Sequence, residues 1–99
     1  MKVFGTLLAA TAFVLSAGAS FAAPPTDAQI ERFTKECVRN SGGNTTLCDC
    51  KAKQARTLAD EAFMEVILAS MDGKPLSHEQ NVPYGIYISK SNAVCAPGM

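Results

Sequence analysis

Cys37-Val38-Arg39-Asn40-Ser41-Gly42-Gly43-Asn44-Thr45-Thr46-Leu47-Cys48-Asp49-Cys50 is the stretch on which the fold turns. Ser41-Gly42-Gly43-Asn44 ends any helix entering it, because glycine takes up the left-handed C-cap without steric cost. Thr45 and Thr46 then offer hydroxyl caps for a second helix. Three of the four cysteines flank this turn within fourteen residues, so whatever helices meet here are candidates for covalent bracing.

Upstream, Ile30, Phe33, Cys37 and Val38 recur at helical spacing and predict a helix over 27–40, with Thr26 or Asp27 as its cap. Downstream, Leu47, Cys48, Ala52, Ala55, Leu58 and Ala59 share one face, with Lys51, Lys53 and Arg56 largely elsewhere. The two segments predict a helical hairpin. Thr57-Leu58-Ala59-Asp60 reads as a capping box at which the helix restarts or bends. A third helical segment runs from there to about Met71, and Asp72-Gly73-Lys74-Pro75 closes it in a turn. Ser77-His78-Glu79-Gln80 is a further cap pattern, but Pro83 breaks a helix begun there, which places the last helix from Pro83 to Cys95. Tyr84-Gly85-Ile86-Tyr87-Ile88 also reads as a strand, with no second strand to pair it. The expected fold class is all-α: a small three- or four-helix domain with an N-terminal helical hairpin, braced by two disulfides and spanning residues 23–99.

The N-terminus has a different character. After Met1-Lys2 no charge occurs from Val3 to Thr26, the apolar centre lies at Leu7 to Leu15, and small residues follow it. That order is the n-region, h-region and cleavage region of a secretory signal. Ala, Gly, Ser and Thr dilute the run, and no basic stop-transfer cluster follows, which sets it apart from a permanent membrane span. Ser20 and Ala22 place small side chains at the third and first positions before a cut, so residues 1–22 are expected to leave as a cleavable signal peptide. No cysteine follows that cut and no Arg-Arg pair precedes it, so neither lipid anchoring nor twin-arginine export is expected. A short Ala-rich leader points to the periplasm, with full secretion as the alternative.

The remaining 77 residues carry eight basic and nine acidic side chains, a net charge near −1. Nucleic acid and anionic membrane surfaces need concentrated Lys and Arg, so neither is an expected partner after cleavage. A chain this short builds a marginal core and depends on cross-links.

Cys37, Cys48, Cys50 and Cys95 supply them. An even count in a short exported chain reads as a disulfide framework. A Cys48–Cys50 bridge closes a strained ring, leaving two pairings. Residues two apart on a helix point about 200° away from each other, so Cys48 and Cys50 face different neighbours. Level along the hairpin favours Cys37 with Cys50, and Cys48 on the apolar face with Cys95; Cys37 with Cys48 and Cys50 with Cys95 is the competing arrangement.

Two sharper readings use the same sulfurs. Thiolates at Cys48 and Cys50 suit a soft metal, copper or zinc, with His78, Met64 and Met71 as further donors, although zinc patterns usually separate paired cysteines by two residues. A thiol-redox factor is a minor alternative, because neither the usual cysteine spacing nor a βαβ pattern surrounds them. No cofactor is expected. The single histidine, His78, has no nucleophile set near it, no Gly-rich phosphate loop is present, and Asp60, Glu61, Glu65 and Asp72 read as a solvated face. The expected function is therefore non-enzymatic: a small exported module that binds or inhibits a protein partner.

The candidate contact surface lies on the third helix. Leu58, Ala62, Phe63 and Val66 form one apolar stripe, and Met64, Ile67, Leu68 and Met71 form another, whereas a simple surface helix needs only one. Either Ile86, Ile88 or Val94 of the C-terminal segment covers the second stripe, or Met64, Leu68 and Met71 stay open to a partner. For the leader, the expected outcome is direct: intact mass and N-terminal sequencing of the exported protein give Ala23 as the first residue, and a protein still carrying Met1 refutes the cleavage.

Overall fold

The computed structural model describes residues 22–98, and the expected signal peptide, residues 1–22, lies outside them but for Ala22. Among the described residues four helices follow one another: α1 (Asp27–Asn40), α2 (Thr45–Leu58), α3 (Glu61–Met71) and α4 (His78–Cys95). Among the described residues there is no strand, so 84–88 is helical and the all-α expectation holds. No helix among them is long and apolar enough to cross a membrane.

Each helix begins on a side-chain cap. Thr26 and Gln29 form a capping box, with the Gln29 amide donating to Thr26 Oγ1 and the Thr26 amide to Gln29 Oε1, both at 3.0 Å. Asn44, rather than Thr45 or Thr46, caps α2 by accepting from the Leu47 amide at 3.1 Å. Asp60 serves α3 instead of reaching back to Thr57: it accepts from the Phe63 amide at 2.7 Å, and extended Ala59 separates the two helices. The hairpin turn follows from glycine chemistry, Gly42 and Gly43 holding φ of 72° and 97°. That geometry lets the Gly43 amide donate to the Val38 carbonyl at 2.9 Å, closing the orphan carbonyls of α1.

α4 is the main departure from the sequence reading. It starts at His78, five residues before Pro83, on a second capping box between Ser77 and Gln80. Pro83 lacks the amide that would reach the Glu79 carbonyl, and a proline inside a helix costs about 3 kcal/mol. Both residues are exposed, so water can take the freed carbonyl. Burial of Tyr87 to 4% exposure on the inner face offsets the rest.

α1 and α2 pack antiparallel, with Asp27 at one end of the pair reaching Arg56 at 3.4 Å. α3 lies along α1 in the same direction. Gln29, buried despite its amide, donates to the Glu61 carbonyl at 3.0 Å and to Glu65 Oε2 at 2.7 Å, and Arg32 meets Asp72 at 2.8 Å. The lead-in joins the same seam: the Ala23 carbonyl accepts from the Glu61 amide at 2.8 Å, which satisfies an orphan donor of α3. Ile30, Phe33, Ala52, Ala55, Ala59, Met64, Ile67, Leu68 and Tyr87 make one core shared by all four helices.

The disulfides pair Cys37 with Cys48 and Cys50 with Cys95, with Cα–Cα distances of 5.7 and 5.6 Å. This corrects the expected Cys37–Cys50 and Cys48–Cys95. Two residues along a helix differ by about 3 Å in level but by about 200° in direction, so direction decides. The small-residue face of α2, with Cys48, Ala52 and Ala55 buried, faces into the core. Cys48, fully buried, is thereby turned to α1, and Cys50 is left for α4.

Cleavage of the oxidised, denatured protein before Asp27, Asp49, Asp60 and Asp72 separates Cys48 from Cys50 and tests the pairing. Fragment 27–48 is expected with an internal bridge, and fragment 49–59 linked to the C-terminal fragment that begins at Asp72. Recovery of all three fragments as one linked species would overturn this pairing. The bridges close separations of 11 and 45 residues. Paired Cys→Ser removal is expected to cost about 3 kcal/mol for Cys37 with Cys48 and about 4 kcal/mol for Cys50 with Cys95, read by denaturant unfolding.

Candidate functional site

The surface expected on α3 is core. Met64 is fully buried, Ile67 and Leu68 are each 1% exposed, and Met71 is half-buried against them. This corrects the open reading of Met64, Ile67, Leu68 and Met71. α4 covers them, but through Tyr87 and Ile88 rather than Ile86 or Val94. Tyr87 stands edge-on to Phe63, ring centroids 6.4 Å apart.

The apolar surface that does stay open is on α4 itself. Val82, Ile86 and Val94 are 63%, 51% and 58% exposed. Val82 and Ile86, one turn apart, share an outward stripe with exposed Ala93 two turns further on. Lys90 lies beside this stripe without an ion pair among the described residues. Sequence reasoning missed this face because it began the helix at Pro83 and left Val82 outside it. The signal was present all the same, since Val82, Tyr84, Ile86, Tyr87, Ile88 and Val94 surround the helix axis instead of keeping to one side.

On its other side α4 closes a cleft of about 230 Å³, whose walls include Phe33, Leu47, Ile67, Met71, Tyr84 and Ile88. Lys51 of α2 is the one charged residue in its wall among the described residues. Its ammonium crosses to α4, donating to Ser91 Oγ at 3.0 Å and to Asn92 Oδ1. Ser91, fully buried, in turn donates to the Ile88 carbonyl at 3.2 Å, so this hydroxyl is satisfied as both donor and acceptor. No carboxylate among the described residues pairs with Lys51. Burial pulls its pKa below the usual lysine range. The neighbouring Tyr87 phenol is pushed up to about 12, first by burial and then by Tyr84, against a hydrogen bond with Ser91 that acts the other way.

The sequence-predicted sulfur ligands do not converge. Cys48 and Cys50 are bonded to different helices, and a disulfide sulfur is no thiolate, so neither can grip a soft metal or attack a disulfide in this state. His78 sits exposed at the first position of α4. Comparison with protein families, with curated proteins and with solved structures returns no match to this chain.

Tyr87 sets an alkaline limit. Its folded pKa is raised, so the stability it contributes is complete below pH 10 and lost as pH rises through about 12. The amount is on the order of 2 to 3 kcal/mol. In a Tyr84→Phe variant, which leaves one phenol and removes the Tyr84 contribution, tyrosinate absorbance is expected to rise above the ordinary tyrosine range but below the wild-type position, and in Tyr87→Phe the loss of stability between pH 10 and 12 disappears.

Proposed function

We propose that this chain is exported to the periplasm through a cleaved leader, residues 1–22, and acts there as a non-enzymatic module that binds or inhibits a protein partner through the outward face of α4. The charge-free run from Val3 to Thr26 behind Lys2 supports the export step. Two disulfides in so short a chain support an oxidising compartment, full secretion included.

The observation that carries the partner reading is the exposure of Val82 and Ile86, one turn apart on a helix whose opposite side is already core. A single exposed apolar side chain is ordinary. A helix apolar on both sides is ordinarily covered on both, and rimmed apolar patches mark interaction surfaces. Lys90 at the edge of the stripe suits a partner that offers an apolar ridge flanked by a carboxylate. The rigid, bridged domain would meet it with little ordering cost.

Replacing Val82 and Ile86 together by serine separates binding from folding. Both side chains are solvent-exposed, so stability is expected to stay within about 0.5 kcal/mol of the wild type. Tagged wild type recovered from its own compartment should carry a partner at fixed stoichiometry in native mass spectrometry, and the double variant should lose it. A variant that keeps the same partner at the same stoichiometry overturns the assignment to α4.

A further inference from the structure

We propose that the cleft beside Lys51 binds a small free amphiphile with one carboxylate, its apolar body lying against Phe33, Ile67, Met71 and Tyr84 and its carboxylate on the Lys51 ammonium. The site is separate from the outward face of α4. Val82 and Ile86 point about 170° away from the direction of Tyr84, Tyr87, Ile88 and Ser91 on the same helix.

Charge identifies the headgroup. Lys51 is a half-buried cation whose polar partners, Ser91 and Asn92, are both neutral. An ammonium carries three N–H donors, so one remains for a ligand. A desolvated cation with no counter-charge among the described residues is unfavourable until an anion arrives, and the lowered pKa of Lys51 has the same origin. The ammonium ends on Ser91, one turn beyond Tyr87 and Ile88 in the cleft wall. With Lys51 as the only charge in that wall among the described residues, a monoanion is matched, whereas a phosphate dianion would meet too few donors.

Volume identifies the body. At about 230 Å³ the cleft is smaller than sites for drug-sized ligands, which start near 300 Å³. A dry cavity of about 150 Å³ holds benzene, so by proportion this one suits roughly nine non-hydrogen atoms. Octanoate, a carboxylate on a seven-carbon tail, is of that order. The walls offer aromatic and branched apolar surface and the far end offers Asn40 and Ser41, neither charged.

The chain supplies its own reporter. It has no tryptophan and two tyrosines, and both tyrosines line the cleft. The oxidised mature protein is titrated at neutral pH with octanoate, 1-octanol and octylamine, each below its micelle threshold, following tyrosine fluorescence. Octanoate is expected to give a saturable change, with affinity at least about tenfold above octanol and no binding of octylamine. Lys51→Met keeps the stem and removes the charge, and should bring octanoate down to the octanol level. The comparison of ligands on the wild type stands even if that variant folds poorly. Equal affinity for octanoate and octanol, no saturable response, or an unchanged preference in Lys51→Met overturns the proposal. Val82→Ser with Ile86→Ser should leave octanoate binding intact. A loss there would place the ligand on the outward face and overturn the cleft assignment.

Discussion

Two disulfides anchored two residues apart on α2 are the constraint on which the rest of the structure depends. Cys48 reaches back to α1 and Cys50 reaches forward to α4. Because the two side chains leave the helix on opposed sides, one turn of α2 is tied to both α1 and α4. α2 therefore has little freedom to rotate, and its direction determines which residues of the other helices meet. The bridges also remove a large part of the unfolded chain's freedom, which matters most where the core is small.

With α2 held in this way, packing around it follows from side-chain size. Ala52, Ala55 and Ala59 allow close approach, and the space is filled by larger residues from outside α2: Phe33, Met64, Ile67, Leu68 and Tyr87. α3 is the shortest helix and the most thoroughly used, since Gln29 and Arg32 secure one flank to α1 while Tyr87 packs against Phe63 on the other. The exposed ion pairs on that seam add little individually. The buried amide of Gln29 matters more, because an unsatisfied amide there would cost about 1 to 3 kcal/mol.

Both functional surfaces follow from how α4 is held. The Cys50–Cys95 bridge brings its last turns to the first turns of α2, where Lys51 sits next to the bridged cysteine and can span to Ser91 and Asn92. The same placement turns Tyr84 and Tyr87 inward and leaves Val82 and Ile86 outward. A helix with apolar residues on all sides is thus divided into a packing side with a charged cleft and an open side.

Much of the local structure was legible beforehand. The boundaries of α1, the Gly42-Gly43 turn and the C-terminal end of α3 could be read because caps, glycines and apolar spacing act within one or two turns of chain. Capping by Asn44, and Asp60 serving α3 instead of Thr57, lay within the ambiguity of neighbouring polar residues. Pro83 inside α4 could not be read locally, since its cost is set against the burial of Tyr87 by residues distant in sequence. The pairing of the cysteines, the burial of Met64, Ile67 and Leu68, and the meeting of Lys51 with Ser91 were likewise decided only in three dimensions. The sequence determined an all-helical chain with four cysteines and too many apolar residues for one face per helix. Which faces met depended on the rotation of each helix about its axis, and that rotation is fixed by contacts made across the fold.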